Sequence, residues 1–106
     1  MTTTDETQLD DAIAMAARAD IEIASIGGYC PVQAEGSVDG QPFYFRARGE
    51  EWQLHIGPRE DWFSGREWWI EVPWTGETYG AGYMPHDQAA RLIVAGIAAW
   101  RKPRNA

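Results

Sequence analysis

The chain has 106 residues, of which 44% are hydrophobic and 24% are charged, and its formal net charge at pH 7 is −7. A chain of this length supports one hydrophobic core rather than two, and its hydrophobic content excludes an intrinsically disordered protein. We therefore predict a single domain over residues 1–106, with flexible ends at 1–4 and 103–106.

The apolar segments and the cysteine content predict a cytoplasmic protein that does not enter a membrane. The longest apolar run, residues 92–100, has nine residues, whereas a helix that spans a bilayer needs about 20. The first residues are polar and acidic, unlike the basic and apolar start of a signal peptide. Cys30 is the only cysteine, so no internal disulfide is expected.

Hydrophobic periodicity changes from helical to strand-like after the first twenty residues. Apolar residues recur at helical spacing between Leu9 and Ala17, which predicts a first helix over residues 5–19. Apolar and polar residues then alternate, which predicts strands at 21–26, 32–38, 43–48, 52–56 and 68–72.

A turn signal and a final helix complete the predicted fold. Asp39-Gly40, between the second and third strands, favours a type I′ hairpin turn. An apolar stripe over residues 89–100 predicts the last helix, in which Gly96 indicates a close approach to the sheet. The predicted class is α+β: an antiparallel meander of four to five strands, with the N-terminal and C-terminal helices packed on one face.

Residues that could catalyse a reaction or bind a metal are scattered along the chain. His55, His86 and Cys30 lie on separate predicted elements, without the short spacing of a metal site. We therefore predict no metal, no cofactor and no catalytic residue, and we interpret Cys30 as a small buried thiol. An enzymatic alternative would use His86 with Glu71 or Glu77 as acid and base.

Glu67 and Glu71 form a pair of carboxylates on one face of the last predicted strand. Their separation along an extended chain is roughly 13 Å, beyond the about 5–9.5 Å that glycoside hydrolases use. We interpret both side chains as solvated charges.

Aromatic residues are concentrated in the middle of the chain. Eleven of the thirteen lie between Phe43 and Tyr83. Trp68 and Trp69 point to opposite faces of one strand, so a core on one side of the sheet cannot bury both. Because interface cores favour aromatic residues, we predict a partner-binding surface composed of Tyr44, Trp62, Trp69, Glu71, Trp74, Glu77 and Tyr79. The alternative is a second small core, in which a loop folds over these rings.

Acidic residues dominate the first part of the chain. Residues 1–40 contain eight acidic residues and one basic residue, Arg18, whereas the segment after Pro85 is basic. An acidic surface repels phosphate backbones, so direct nucleic-acid binding is disfavoured. The charge instead favours a protein partner with a basic surface.

Three stretches in the central part of the chain carry a resemblance to a known group of proteins. They read CPVQAEG at 30–36, PFYFRARG at 42–49 and YGAGYMP at 79–85, and they are similar to small uncharacterised proteins encoded by phages and prophages. No activity or functional residue comes with that group. Small acidic phage proteins often inhibit host machinery, as anti-CRISPR proteins do by occupying basic nucleic-acid-binding surfaces, so the resemblance implies an inhibitor.

Two hypotheses about function precede the enzymatic one. The first is a non-enzymatic acidic binding protein, an inhibitor of a host nucleic-acid-binding or defence complex, that acts through protein–protein contact. The second is a small-molecule binding module with an aromatic pocket under residues 74–83. Self-association through the sheet edge, giving a homodimer, is compatible with all three hypotheses.

Overall fold

The computed structural model describes residues 4–75 and 80–102, with side chains from residue 8 onward. The elements in chain order are α1 (Thr4–Arg18), β1 (Ile21–Gly27), β2 (Val32–Val38), β3 (Gln41–Arg48), β4 (Glu51–Ile56), β5 (Trp68–Pro73) and α2 (His86–Arg101). Short 3-10 turns occupy Arg59–Asp61 and Gly80–Tyr83. The five strands form one antiparallel sheet in the order β1-β2-β3-β4-β5. The predicted α+β meander is confirmed. Of the ends predicted to be flexible, Thr4 is the first residue of α1, and residues 1–3 and 103–106 lie outside the described residues.

Both helices pack on the same face of the sheet, as predicted. α1 contacts β1 and α2, while α2 crosses the sheet so closely that a Cβ atom on Gly96 would lie 2.6 Å from Leu54 Cδ2. The largest fully buried side chains are Phe43, Phe45, Leu54, Met84, Ile93, Ile97, Val32 and Val38. Burial of each large apolar side chain contributes about 1.5–3 kcal/mol, so this layer supplies the main hydrophobic core.

Neither helix of the described part of the chain combines the length and the hydrophobicity that a bilayer crossing requires. α2 is the more apolar of the two, yet its buried face is covered by the sheet.

The turn between β2 and β3 sets the register of the sheet. Asp39 has φ +51° and Gly40 has φ +79°, the two positive values that a type I′ turn requires. The turn places Val38 opposite Gln41, and the alternation of the strands then sends every second residue of β3, β4 and β5 away from the helices.

Arg101 fastens the end of α2 to two other parts of the fold. Its guanidinium donates two hydrogen bonds to the Asp39 carboxylate, at 3.0 and 2.9 Å, and a third to the carbonyl oxygen of Ala19 at 2.7 Å. Bidentate guanidinium–carboxylate pairs are among the stronger polar contacts in proteins. This residue therefore links α2 to the β2–β3 turn and to the end of α1.

Gly36 lies where β1 bulges, and its lack of a side chain permits the strands to pair. The register of β1 and β2 shifts between Ile23 and Ser25, and a Cβ atom on Gly36 would lie 1.8 Å from the Glu22 carbonyl oxygen. We predict that Gly36→Ala lowers the free energy of unfolding by about 1–3 kcal/mol, because the strands must move apart.

Gly27→Ala is the matched control, since a Cβ atom there meets no atom within 4 Å. We expect it to change stability by less than about 0.5 kcal/mol. Urea denaturation of the two variants and of the wild type measures both effects. Equal stability losses for the two substitutions would contradict the described pairing.

Candidate functional site

The sheet face opposite the helices, here called the open face, carries two rows of side chains across neighbouring strands. In one row Tyr44, His55 and Trp69 lie directly opposite one another on β3, β4 and β5. The next row contains Arg46, Gln53 and Glu71. Among the described residues, no helix covers this face.

Residues 57–67, here called the 57–67 loop, fold back over part of the open face. The ring of Trp62 stacks on Tyr44 with centroids 5.5 Å apart. The ring of Phe63 meets Tyr44 edge-on at 5.6 Å and lies 4.6 Å from His55. Trp62 Nε1 donates a hydrogen bond to the Gly57 carbonyl oxygen at 3.0 Å. The indole is thus positioned both by stacking on Tyr44 and by this hydrogen bond.

Glu67 holds the 57–67 loop in place from beneath. Its carboxylate accepts hydrogen bonds from the backbone N–H groups of Phe63 at 2.7 Å and Gly65 at 3.1 Å, and its Oε2 lies 2.8 Å from His55 Nδ1. The Glu67 side chain is 0% exposed. Burial alone would raise its pKa, but the hydrogen bonds from His55 and Phe63 outweigh burial and lower the pKa below its ordinary value of 4.5. The loop is thus closed on a buried carboxylate.

His55 has an oxygen atom opposite each ring nitrogen. Nδ1 faces Glu67, and Nε2 lies 3.0 Å from Gln53 Oε1. The side-chain nitrogen of Gln53 donates a hydrogen bond to Glu71 Oε1 at 2.9 Å. This bond orients the Gln53 amide, so that its oxygen faces the His55 ring. Both ring nitrogens of His55 are therefore engaged within the protein, and neither is free for a substrate.

The rings on the open face form a continuous series, here called the aromatic stack. Its order is Trp62, Tyr44, His55 and Trp69. The rings of His55 and Trp69 are nearly parallel, at 7° and 5.6 Å. Trp69 is still 44% exposed and Phe63, beside the stack, is 59% exposed. Burial raises the pKa of the Tyr44 hydroxyl, which accepts a hydrogen bond from Gln33 at 3.1 Å.

The structure brings together four of the predicted partner-binding residues and separates the others. Tyr44, Trp62, Trp69 and Glu71 lie on or over the open face. Trp74 packs against the main hydrophobic core, because it continues the alternation of Val72 on the helix side; its placement with the other rings was wrong. Its indole N–H is buried and has no hydrogen-bond partner among residues 4–75 and 80–102. The two remaining predicted residues, Glu77 and Tyr79, lie outside the described residues.

A second small core does form, as the alternative interpretation of the aromatic pattern predicted. Residues 57–67 cover it through the contacts of Trp62 and Phe63 with Tyr44 and His55. The exposed fractions of Trp69 and Phe63 leave part of this small core open to solvent. The open face therefore combines the two alternatives predicted from the aromatic residues: Trp62 covers Tyr44, while Trp69 and Phe63 stay exposed.

The His55–Glu67 pair was missed by sequence reasoning, and the interpretation of Glu67 as a solvated charge was wrong. Glu67 is buried rather than solvated, while Glu71 is exposed as expected. β5 begins only at Trp68, so Glu67 belongs to the loop and turns inward. The signal that could have identified the pair is the position of His55, whose alternation places it between Tyr44 and Trp69 on the open face.

His86 contacts the segment that precedes β2, and Cys30 in the same segment is exposed. His86 Nε2 lies 2.9 Å from the Gly28 carbonyl oxygen, and its ring stacks on Tyr29 at 4.8 Å. This contact occupies one of the two ring nitrogens, and the enzymatic alternative stays a prediction. Cys30 was predicted to be buried, but it is exposed. Its backbone N–H donates a hydrogen bond to the carbonyl oxygen of Gly82 at 2.6 Å.

The described residues contain a cavity at one end of the sheet but no metal site. A cavity of about 410 Å³ lies at the β3–β4 turn and is lined by Arg46, Arg48, Gly49, Glu50, Glu51 and Gln53. The predicted aromatic pocket under residues 74–83 stays a prediction, since residues 76–79 lie outside the described part. Within residues 4–75 and 80–102, no group of three or more His, Cys, Asp or Glu side chains could hold a metal ion.

The buried carboxylate makes a testable contribution to stability. Because the folded pKa of Glu67 lies below the unfolded value near 4.5, its stabilisation is fully present above that value and is lost as pH falls through the folded pKa. We predict that Glu67→Gln lowers the free energy of unfolding at neutral pH by about 1–3 kcal/mol. The variant should also lose less stability than the wild type on acidification below about pH 5. Urea denaturation across this range measures both effects.

Glu60→Gln is the control, because Glu60 is an exposed carboxylate in the same loop. It removes the same charge and should retain the wild-type dependence on pH. An acid dependence of Glu67→Gln parallel to that of the wild type would show that Glu67 does not hold the loop as a carboxylate.

Comparison with known proteins identifies no relative: no protein-family model, no curated protein and no solved structure matches the chain. The contacts, charges and exposure of the open face are therefore the basis for its proposed function.

Proposed function

We propose that this chain is a non-enzymatic binding protein whose open face attaches to a basic surface of a protein partner. The observation that carries the proposal is the exposure of two aromatic rings, Trp69 at 44% and Phe63 at 59%, on a face whose supporting side chains are buried. Tryptophan and tyrosine dominate the binding energy of many protein interfaces. Large exposed rings on a sheet face are accordingly candidates for contact.

The two exposed rings are held before any partner arrives. Phe63 is fixed through its backbone N–H, which donates to Glu67, and Trp69 is fixed by its stacking on His55. Side chains that are already ordered lose less conformational entropy on binding, and each such side chain saves about 0.5–1.5 kcal/mol. This preorganisation supports a binding role for the open face.

The charges around the rings favour a basic partner. The alternation of the strands places Glu22, Glu35, Glu51 and Glu71 on the open face, together with Arg46 and Arg48. The 57–67 loop adds three acidic residues, Glu60, Asp61 and Glu67, and two arginines, Arg66 and Arg59, of which Arg59 pairs with Glu35. Acidic side chains therefore outnumber the arginines around the rings. The whole chain has a net charge of −7. Such a charge speeds the encounter with a positive surface and disfavours acidic partners.

Binding to a basic protein surface would allow the chain to act as an inhibitor. Basic protein surfaces commonly bind the phosphate backbone of nucleic acids, so a domain that covers one would displace the nucleic acid. The resemblance to small phage-encoded proteins supports a host nucleic-acid-binding or defence complex as the target. The proposed location is the cytoplasm, a reducing compartment in which Cys30 would remain a thiol.

The proposal predicts that the exposed rings determine what the chain binds. We expect immobilised wild-type chain to retain a basic protein from host lysate, and Trp69→Ala and Phe63→Ala each to lower its apparent affinity about tenfold or more, as for central interface residues. Added salt should release the same protein. Quantitative mass spectrometry of the retained proteins, over a series of bait concentrations, measures these changes.

Tyr83→Ala is the matched control, because Tyr83 is 63% exposed and lies outside the open face and the 57–67 loop. It should leave the retained protein unchanged. Retention that is equally sensitive to Tyr83→Ala, or insensitive to all three substitutions, would contradict binding through the open face.

A further inference from the structure

The two ends of the aromatic stack, Trp62 and Trp69, have different neighbours, and this difference indicates which side chain a partner would place on the stack. At one end the Arg59 guanidinium lies over the ring of Trp62, with its Cζ 5.2 Å from the ring centroid. The same guanidinium pairs with the Glu35 carboxylate at 2.7 Å. This end of the stack is thus closed by a cation that contacts an indole and a carboxylate together.

At the other end the stack stops at Trp69 because the sheet stops there. β5 is an edge strand, so no strand of the described residues lies beyond the indole face that points away from His55. Among the described residues, His55 is the ring that contacts Trp69. The outer face of the indole is the open end of the stack, and it accounts for the 44% exposure of the residue.

A carboxylate accompanies this open end as well. Glu71 lies two residues after Trp69 on the same face of β5, a rise of about 6.6 Å along the strand, and it is exposed. Its Oε1 accepts a hydrogen bond from Gln53 at 2.9 Å, which orients the group. No described cation pairs with it, since Arg46 lies two strands away with Gln53 between them.

We infer that the outer face of Trp69, with the carboxylate of Glu71, is the seat of an arginine guanidinium supplied by the partner. The inference rests on the proposed function and names the chemistry of the partner. It repeats at the open end the arrangement that Arg59, Trp62 and Glu35 form at the closed end. The structure itself shows that one guanidinium can satisfy an indole and a carboxylate on this face.

The seat suits arginine better than lysine. A guanidinium is planar, so it stacks flat on an indole while its N–H groups point to a carboxylate at the ring edge. An ammonium group is compact and strongly hydrated, and it cannot do both with the same geometry. The Glu67 carboxylate lies 2.8 Å from Nδ1 of His55, the ring that stacks under Trp69, so a further acidic group lies near the seat.

Two peptides of equal length and charge, hexa-arginine and hexa-lysine, test this inference on the full chain. We expect hexa-arginine to bind about tenfold more tightly, a difference typical of one cation–ring contact, as measured by isothermal titration calorimetry at low salt. The indole signal of Trp69, assigned in an NMR spectrum with Trp69→Phe, should shift with the arginine peptide. Trp69→Leu and Glu71→Gln should each reduce the preference for arginine to within about twofold.

Asp11→Asn is the matched control, since it removes one exposed negative charge from α1, on the helix side of the sheet. It should retain the full preference for arginine. Equal binding of the two peptides to the wild type, binding of neither, or an equal loss of preference in Asp11→Asn would each overturn the arginine seat. If the open-face substitutions still abolish retention of the lysate protein, the proposed function survives that failure.

A second copy of the chain is the competing occupant of the open end, because two β5 edges could pair there. Light scattering of the wild type and of Trp69→Leu distinguishes this outcome. We expect both to have the mass of a monomer. A wild-type dimer that Trp69→Leu converts to a monomer would assign the outer face of Trp69 to self-association and overturn the arginine seat.

Discussion

The contact between His55 and Glu67 is the one on which the whole open face depends. A buried carboxylate is costly unless its hydrogen bonds are satisfied, and here they are: two backbone N–H groups and an imidazole surround the Glu67 carboxylate, while Gln53 contacts the second ring nitrogen of His55. The loop must be closed for this to hold. When the 57–67 loop is closed, Trp62 and Phe63 pack against the sheet. The hydrogen bonds of Glu67 and the ring contacts of the loop therefore stabilise each other.

This coupling explains why a small sheet can carry exposed rings without a second layer of helices. The main core lies wholly on the other side, between the strands and α2. On the open face, stacking contacts between neighbouring rings, each worth about 0.5–1.5 kcal/mol beyond area burial, replace deep burial. At one end of the aromatic stack the Arg59 guanidinium covers Trp62, whereas at the other end no described cation covers the outer face of Trp69. The proposed binding role rests on the exposed rings of Trp69 and Phe63, and the proposed arginine seat rests on this difference between the two ends.

The sequence predicted features that depend on local pattern and missed those that depend on a distant partner. Period-two alternation was enough to place Tyr44, Trp69 and Glu71 on one face, and Asp39-Gly40 was enough to set the hairpin that aligns them. The same alternation, followed past Pro73, would have assigned Trp74 to the helix side. By contrast, nothing in residues 57–67 indicates that Glu67 turns inward, because its partner lies twelve residues earlier on another strand.

The most direct measurement of the central claim is a two-dimensional nuclear Overhauser spectrum of the full chain in solution. It reports which ring protons are near one another, without a partner and without substitution. The account predicts cross-peaks between Phe63 and His55 and between Trp62 and Tyr44, whose centroids are 4.6 and 5.5 Å apart. If the rings of Trp62 and Phe63 show no cross-peaks to the sheet, the loop is not closed over the open face and the account is wrong.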